Sequence, residues 1–189
     1  MLVLDTSVIL NLLGSGRPRF LLTHVPYRVT APAQVIEEIR KEPEIAVAKD
    51  ASLFDILESG LIKVVEPNDD AEQLAIALAG APSPDDLDDG EAYAIAYAVA
   101  LGATIGIDER KGRRVISEQW PNLNCLFTIE IMETAAMRAQ LADEDWAEVV
   151  FSALRYARMR VPSDKRADIV KLIGKDRART CPSLGYVPM

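Results

Sequence analysis

Five short strand-like runs, at 2–4, 28–30, 61–65, 104–107 and 125–127, alternate along this chain with stretches of helical periodicity. Strands separated by helices cannot pair as tight hairpins. They come together in parallel, and a parallel sheet needs helices over both of its faces. The pattern therefore predicts an α/β fold with a mainly parallel central sheet. Helices are expected at 6–14, from Pro32 to about Lys41, from Pro43 to about Ser59, and over 71–78. Further helices are expected at 91–101, from Arg110 towards Pro121, and over 128–141. The 91–101 segment carries a clean apolar face of Ala92, Ile95, Ala96 and Val99. From Asp143 onward the strand pattern stops, leaving helical segments at 143–160 and 164–174. The expected organisation is a 1–142 α/β domain followed by a helical 143–189 extension.

Composition removes several chemistries. The 189 residues include one histidine, His24, and two cysteines, Cys125 and Cys181, in no ligand spacing. Zinc sites, a Ser-His-Asp triad and a disulfide framework are thus excluded, and the thiols suit a reducing, cytoplasmic setting. No apolar run is long enough to cross a bilayer, and the start reads as a buried strand rather than a leader. The net charge of −8 is unevenly spread: residues 1–100 hold 7 basic against 17 acidic side chains, whereas 155–179 holds 9 against 3. Whatever chemistry the chain performs rests on carboxylates.

The acids fall in suggestive places. Asp5 and Asp108 each follow a predicted strand, where open α/β sheets bind ligands. Thr6 and Ser7 are available to cap the first helix, which leaves Asp5 free for another task. On the second helix, Glu38 lies at the edge of the Val35/Ile36/Ile39 side and Glu37 points away from it. Asp88, Asp89 and Glu91 surround Gly90 at a helix start, where acids also serve as ordinary caps. Four acids from separate segments repel one another, and Mg²⁺ or Mn²⁺ is the kind of hard cation that relieves such repulsion.

The ordered pieces Leu2-Val3-Leu4-Asp5-Thr6-Ser7, Ala31-Pro32 with Val35-Ile36-Glu37-Glu38-Ile39, Leu87-Asp88-Asp89-Gly90-Glu91-Ala92 and Ile107-Asp108-Glu109 with Gly112-Arg113 resemble the PIN-domain nucleases. These include the VapC-type toxins of toxin–antitoxin pairs, and the chain is most similar to the branch with a Gly-Glu third motif. The resemblance covers roughly 1–140. It implies a three-layer α/β/α sandwich and Mg²⁺- or Mn²⁺-dependent cleavage of RNA. It also implies Asp5, Glu38, Glu91 and Asp108 as catalytic acids, with Asp5, Glu91 and Asp108 as the metal ligands themselves. Asp88 or Asp89 can replace or assist Glu91, and Glu109 can assist Asp108. Thr6 or Ser7 orients Asp5 or a metal-bound water, and Arg113 matches the arginine after the last acid. A homodimer and an antitoxin partner are expected from the resemblance alone. The alternative is a PIN-like protein that binds RNA or a partner without cutting.

Phosphatases of the haloacid-dehalogenase kind want a second Asp where this chain has Ser7, and no phosphate-binding glycine motif occurs. Lys165, Arg166, Lys171 and Lys175 are candidate RNA-binding residues, weighed evenly against a solvated helix face. Trp120, Trp146, Tyr156 and Tyr186 are candidates to stack on bases, though such residues more often pack. His24 is expected to be structural.

Overall fold

The computed structural model describes residues 1–41 and 50–185. The beginning of the helix expected from Pro43, and Tyr186, lie outside them. Two compact units form. The first comprises Met1–Ile9, Tyr27–Pro43 and Gly60–Leu126; the second comprises Leu10–Pro26, Glu44–Ser59 and Phe127–Met189.

The first unit holds the sheet. Strands β1 (Leu2–Leu4), β2 (Val29–Pro32), β3 (Lys63–Val65), β4 (Thr104–Gly106) and β5 (Cys125–Leu126) lie in the order β3-β2-β1-β4-β5. Every pairing is parallel. The predicted α/β class with its parallel central sheet is the one found. Leu2, Val3 and Leu4 are wholly buried, as strands covered on both faces must be. The chain walks outward from β1 to β3, then returns to add β4 on the other side of β1. That reversal makes the β1/β4 boundary the topological switch point, where ligands bind beyond the strand ends. Register pairs Leu4 with Gly106, so the residues just after them, Asp5 and Asp108 among them, arrive at one sheet edge.

Helix α1 (Thr6–Gly14) starts in this unit and continues into the second. Helices α3 (Ala33–Lys41), α5 (Asp69–Ala79), α6 (Asp89–Leu101) and α7 (Arg110–Gln119) complete the first unit; α2 (Pro18–His24) and α4 (Leu53–Glu58) belong to the second. Helix α6 is central: it packs against β1, β2 and β4, and also against α3, α5 and α7. Its expected one-sided face is accordingly too narrow. Ala94 and Ala98 are buried along with Ala92, Ile95 and Ala96, while Val99 stays partly exposed. Alanines suit a helix enclosed on several sides, because their small side chains let neighbours approach closely. The helix ends at Gly102, whose φ of 57° is readily adopted only without a Cβ, and Ala103 N–H then bonds the Ala98 carbonyl at 2.9 Å.

The second unit is helical: α8 (Thr128–Arg138), α9 (Asp143–Tyr156), α10 (Arg166–Ile173) and α11 (Lys175–Arg179) join α2 and α4. Both long helices stop earlier than their pattern predicts. Gln140 and Arg158 adopt positive φ values of 51° and 57°, which turn the chain out of the helix. His24 contacts the Phe20 carbonyl at 2.8 Å through Nδ1 and lies against the Phe20 ring, a structural role. No described helix is long and apolar enough to cross a membrane.

Candidate active site

Beyond β1 the chain must turn at once into α1, and Asp5 makes that turn. Its carboxylate accepts the Val8 N–H at 2.8 Å, and its carbonyl accepts the Ile9 N–H at 3.3 Å. Asp5 is thus the helix cap that Thr6 and Ser7 were expected to supply. The Ser7 hydroxyl instead reaches both Asp5 carboxylate oxygens at 3.0 Å. The Thr6 hydroxyl donates to Glu38 Oε2 at 2.6 Å. The two neighbouring hydroxyls thereby hold two different carboxylates.

Asp5 and Asp108 are 1% and 2% exposed. Burial, together with the nearby charges of Asp108 and Glu91, pushes the Asp5 carboxyl well above its usual range, against the opposing hydrogen bonds from Val8 and Ser7. Glu38 is half-buried on α3, and Glu37 beside it is exposed. Helix α3 buries Val35, Ile36 and Ile39, and the helical step of about 100° per residue separates the two glutamates.

Glu91 is a second strongly perturbed acid. Asp88 caps α6 by accepting the Glu91 N–H at 2.8 Å, which fixes the first turn and directs Glu91 inward. The Glu91 side chain is buried, and among the described residues its Oε1 has no hydrogen-bond partner. Burial first, then the charges of Asp88 and Glu109, raise its carboxyl from 4.5 to about 7, against a smaller pull from Lys111. A Cβ on Gly112 would stand 3.1 Å from that oxygen and 2.6 Å from Ile107 Cδ1, so α7 keeps room beside it by carrying a glycine there.

Of the remaining candidates, Asp88 and Asp89 are exposed, and Glu109 is half-buried at the start of α7. Arg113 donates to the Ile107 carbonyl at 3.0 Å, bracing the residue just before Asp108. One contributor escaped the sequence reading. Lys111 bonds the Asp86 carbonyl and Arg114 bonds the Asp85 carboxylate at 2.6 Å, so α7 grips the loop that delivers Asp88. Four basic side chains among the first five residues of a helix give no such signal in sequence, because nothing local says which loop they meet.

Asp5, Glu38, Glu91 and Asp108 thus belong to the same unit; the charges of Asp108 and Glu91 help to raise Asp5, and that of Glu38 helps to raise Glu91. Among the described residues, no three His, Cys, Asp or Glu side chains stand together in a grouping ready to hold a metal ion. The donor chemistry nonetheless fits a hard divalent cation: carboxylate oxygens only, mutually repelling, one of them buried without a partner. The candidate RNA-binding residues belong to the second unit. Lys165 is tied to Glu133 at 2.7 Å, whereas Arg166, Lys171 and Lys175 are exposed. Trp120 and Trp146 are half-buried, and Tyr156 is 52% exposed.

No curated protein and no solved structure matches the chain. A family model described as a PIN domain does, over residues 1–175. That span contains the parallel sheet, its switch point and all four acids, and PIN domains are generally nucleases; the chain belongs to the PIN-domain family.

Proposed function

We propose that this PIN-domain protein is a Mg²⁺- or Mn²⁺-dependent ribonuclease that hydrolyses RNA phosphodiester bonds at Asp5, Glu38, Glu91 and Asp108. The observation that carries the reading is the unpartnered, buried Oε1 of Glu91, in a carboxyl already raised to about 7 beside three further acids. An unsatisfied buried acceptor costs on the order of 1–3 kcal/mol, and at Glu91 that cost falls on a carboxyl that the charges of other acids already raise. Asp5, Glu91 and Asp108 would hold the metal, which when bound acidifies water and neutralises phosphoryl charge. Ser7 keeps Asp5 oriented, and Thr6 keeps Glu38 oriented. Glu91, raised to about 7 by burial and its neighbours' charges, would give up its proton on taking a divalent cation, so metal uptake is expected to weaken as pH falls below about 7. We read the setting as cytoplasmic and the protein as a homodimer, with an antitoxin as partner if the chain is a toxin.

The rival is a PIN-like protein that binds RNA or a partner without cutting, and the lack of a preassembled three-ligand cluster among the described residues favours it. One experiment separates them. Purified protein is expected to cleave single-stranded RNA in Mn²⁺ or Mg²⁺, with EDTA stopping the reaction. Mn²⁺ alone is expected to raise the melting temperature of the parent and not that of Asp5→Asn. Cleavage that survives EDTA, or no cleavage with full RNA binding, would overturn the reading.

A further inference from the structure

Gly90 is the second residue of α6, and its backbone is helical, so its missing side chain serves space rather than conformational freedom. A Cβ built there would stand 1.9 Å from Glu38 Oε2, 3.1 Å from Glu38 Cδ and 2.7 Å from Thr6 Oγ1. The same Oε2 receives the Thr6 hydroxyl at 2.6 Å. Three segments distant in sequence therefore meet at one carboxylate: Thr6 from α1, Glu38 from α3 and the bare Cα of Gly90 from α6. Contact between α3 and α6 is part of the packing of this unit.

We propose that Gly90 is a positioning residue: with the Thr6 hydroxyl it forms the seat that fixes the Glu38 carboxylate, linking the placement of Glu38 to the start of the helix that carries Glu91. The proposal rests on the reading of Glu38 as a catalytic acid only for its effect on activity. Both atoms that a methyl would strike belong to side chains. A methyl at 90 is therefore accommodated by displacing the carboxylate, not by breaking backbone, and the fold survives while the geometry is lost.

The test compares Gly90→Ala, Glu38→Ala and the double variant. Gly90→Ala is expected to fold and to lower kcat for RNA cleavage in Mn²⁺ by about tenfold or more with KM little changed, as small misplacements at reacting centres do. In the Glu38→Ala background the same substitution is expected to change kcat by less than about twofold, because there is no carboxylate left to displace. Thermal melting gives an arm that needs neither RNA nor metal. With Glu38 truncated the Thr6 hydroxyl loses the oxygen that holds it and can turn away from position 90, and alanine is the better helix former, so there the substitution is expected to raise Tm by about 1–3 °C. With Glu38 present that gain is offset and Tm does not rise. Equal Tm changes in both backgrounds, or full kcat in Gly90→Ala, would overturn the seat. A parent that cleaves nothing would remove the nuclease reading and leave the thermal comparison to decide the seat by itself.

Discussion

The fully buried Asp5 carboxylate serves two ends at once, capping α1 through the Val8 N–H and facing Asp108 and Glu91. Asparagine is an equally good cap, so Asp5→Asn is expected to keep the fold and lose most cleavage, measured by initial rates on a labelled RNA. Glu91 carries a pH signature. Its carboxyl sits at about 7 folded against an ordinary 4.5. The unfolded chain therefore releases this proton first, and the stability due to Glu91 is fully present below 4.5 and is lost as pH rises through about 7. Asp5 is shifted in the same direction. Metal-free protein is expected to melt higher at about pH 5 than at about pH 7.5, with the slope flattened in Glu91→Gln. A Tm that rises with pH across this window would contradict it. Glu38→Gln is expected to damage cleavage far more than Glu37→Gln, since Glu37 faces solvent and Glu38 holds the Thr6 hydrogen bond. Equal losses would remove Glu38 from the site.

Helix α6 brings three of these effects together: Asp88 caps it, Gly90 leaves room at its first turn, and Glu91 faces inward from it. Asp88→Ala is expected to cost about 1 kcal/mol of stability, lowering Tm by roughly 2–4 °C, whereas Asp88→Asn retains the cap. Because the Asp88 charge helps to raise Glu91, the asparagine variant is expected to shift the Glu91-dependent melting profile towards lower pH. Calorimetry across pH reads both effects. The elements themselves were legible because strand ends and helical phase are local: Asp5 and Asp108 could be placed at strand ends, and Glu38 told from Glu37, by counting. Helix ends at Gln140 and Arg158 were not, since neither residue type announces a positive φ. Nor were the seats at Gly90 and Gly112, whose contacts join residues from separate elements. Cap assignment failed for a related reason, because Asp5 competes with Thr6 and Ser7 for one role and only their partners decide it.

At the scale of the molecule, an acidic first hundred residues must meet a polyanion if this protein cuts RNA, and net charge alone opposes that encounter. Two stretches have the opposite sign: Arg110–Arg114, with four basic side chains and no acid, and the longer 155–179 segment. The members of the longer one are not equivalent. Lys165 pairs with Glu133, Arg177 pairs with Glu148 and lies over the Phe151 ring, and Arg179 pairs with Asp176. Reversing Lys165 would set like charges against Glu133 and confuse a binding defect with a folding one. Arg166, Lys171 and Lys175 are exposed and are the cleaner probes. Reversing these three is expected to leave Tm nearly unchanged while weakening RNA binding by a catalytically dead Asp5→Asn parent. Affinity of that parent is expected to fall steeply with salt. Each phosphate contact on a single strand contributes about 0.7 to the slope of log K against log salt. Losing three contacts should therefore flatten the slope by about 2, measured by fluorescence anisotropy over a salt series. An unchanged slope with unchanged affinity would assign these side chains to solvation or to a protein partner, and would require the first unit to bind RNA against its own net charge.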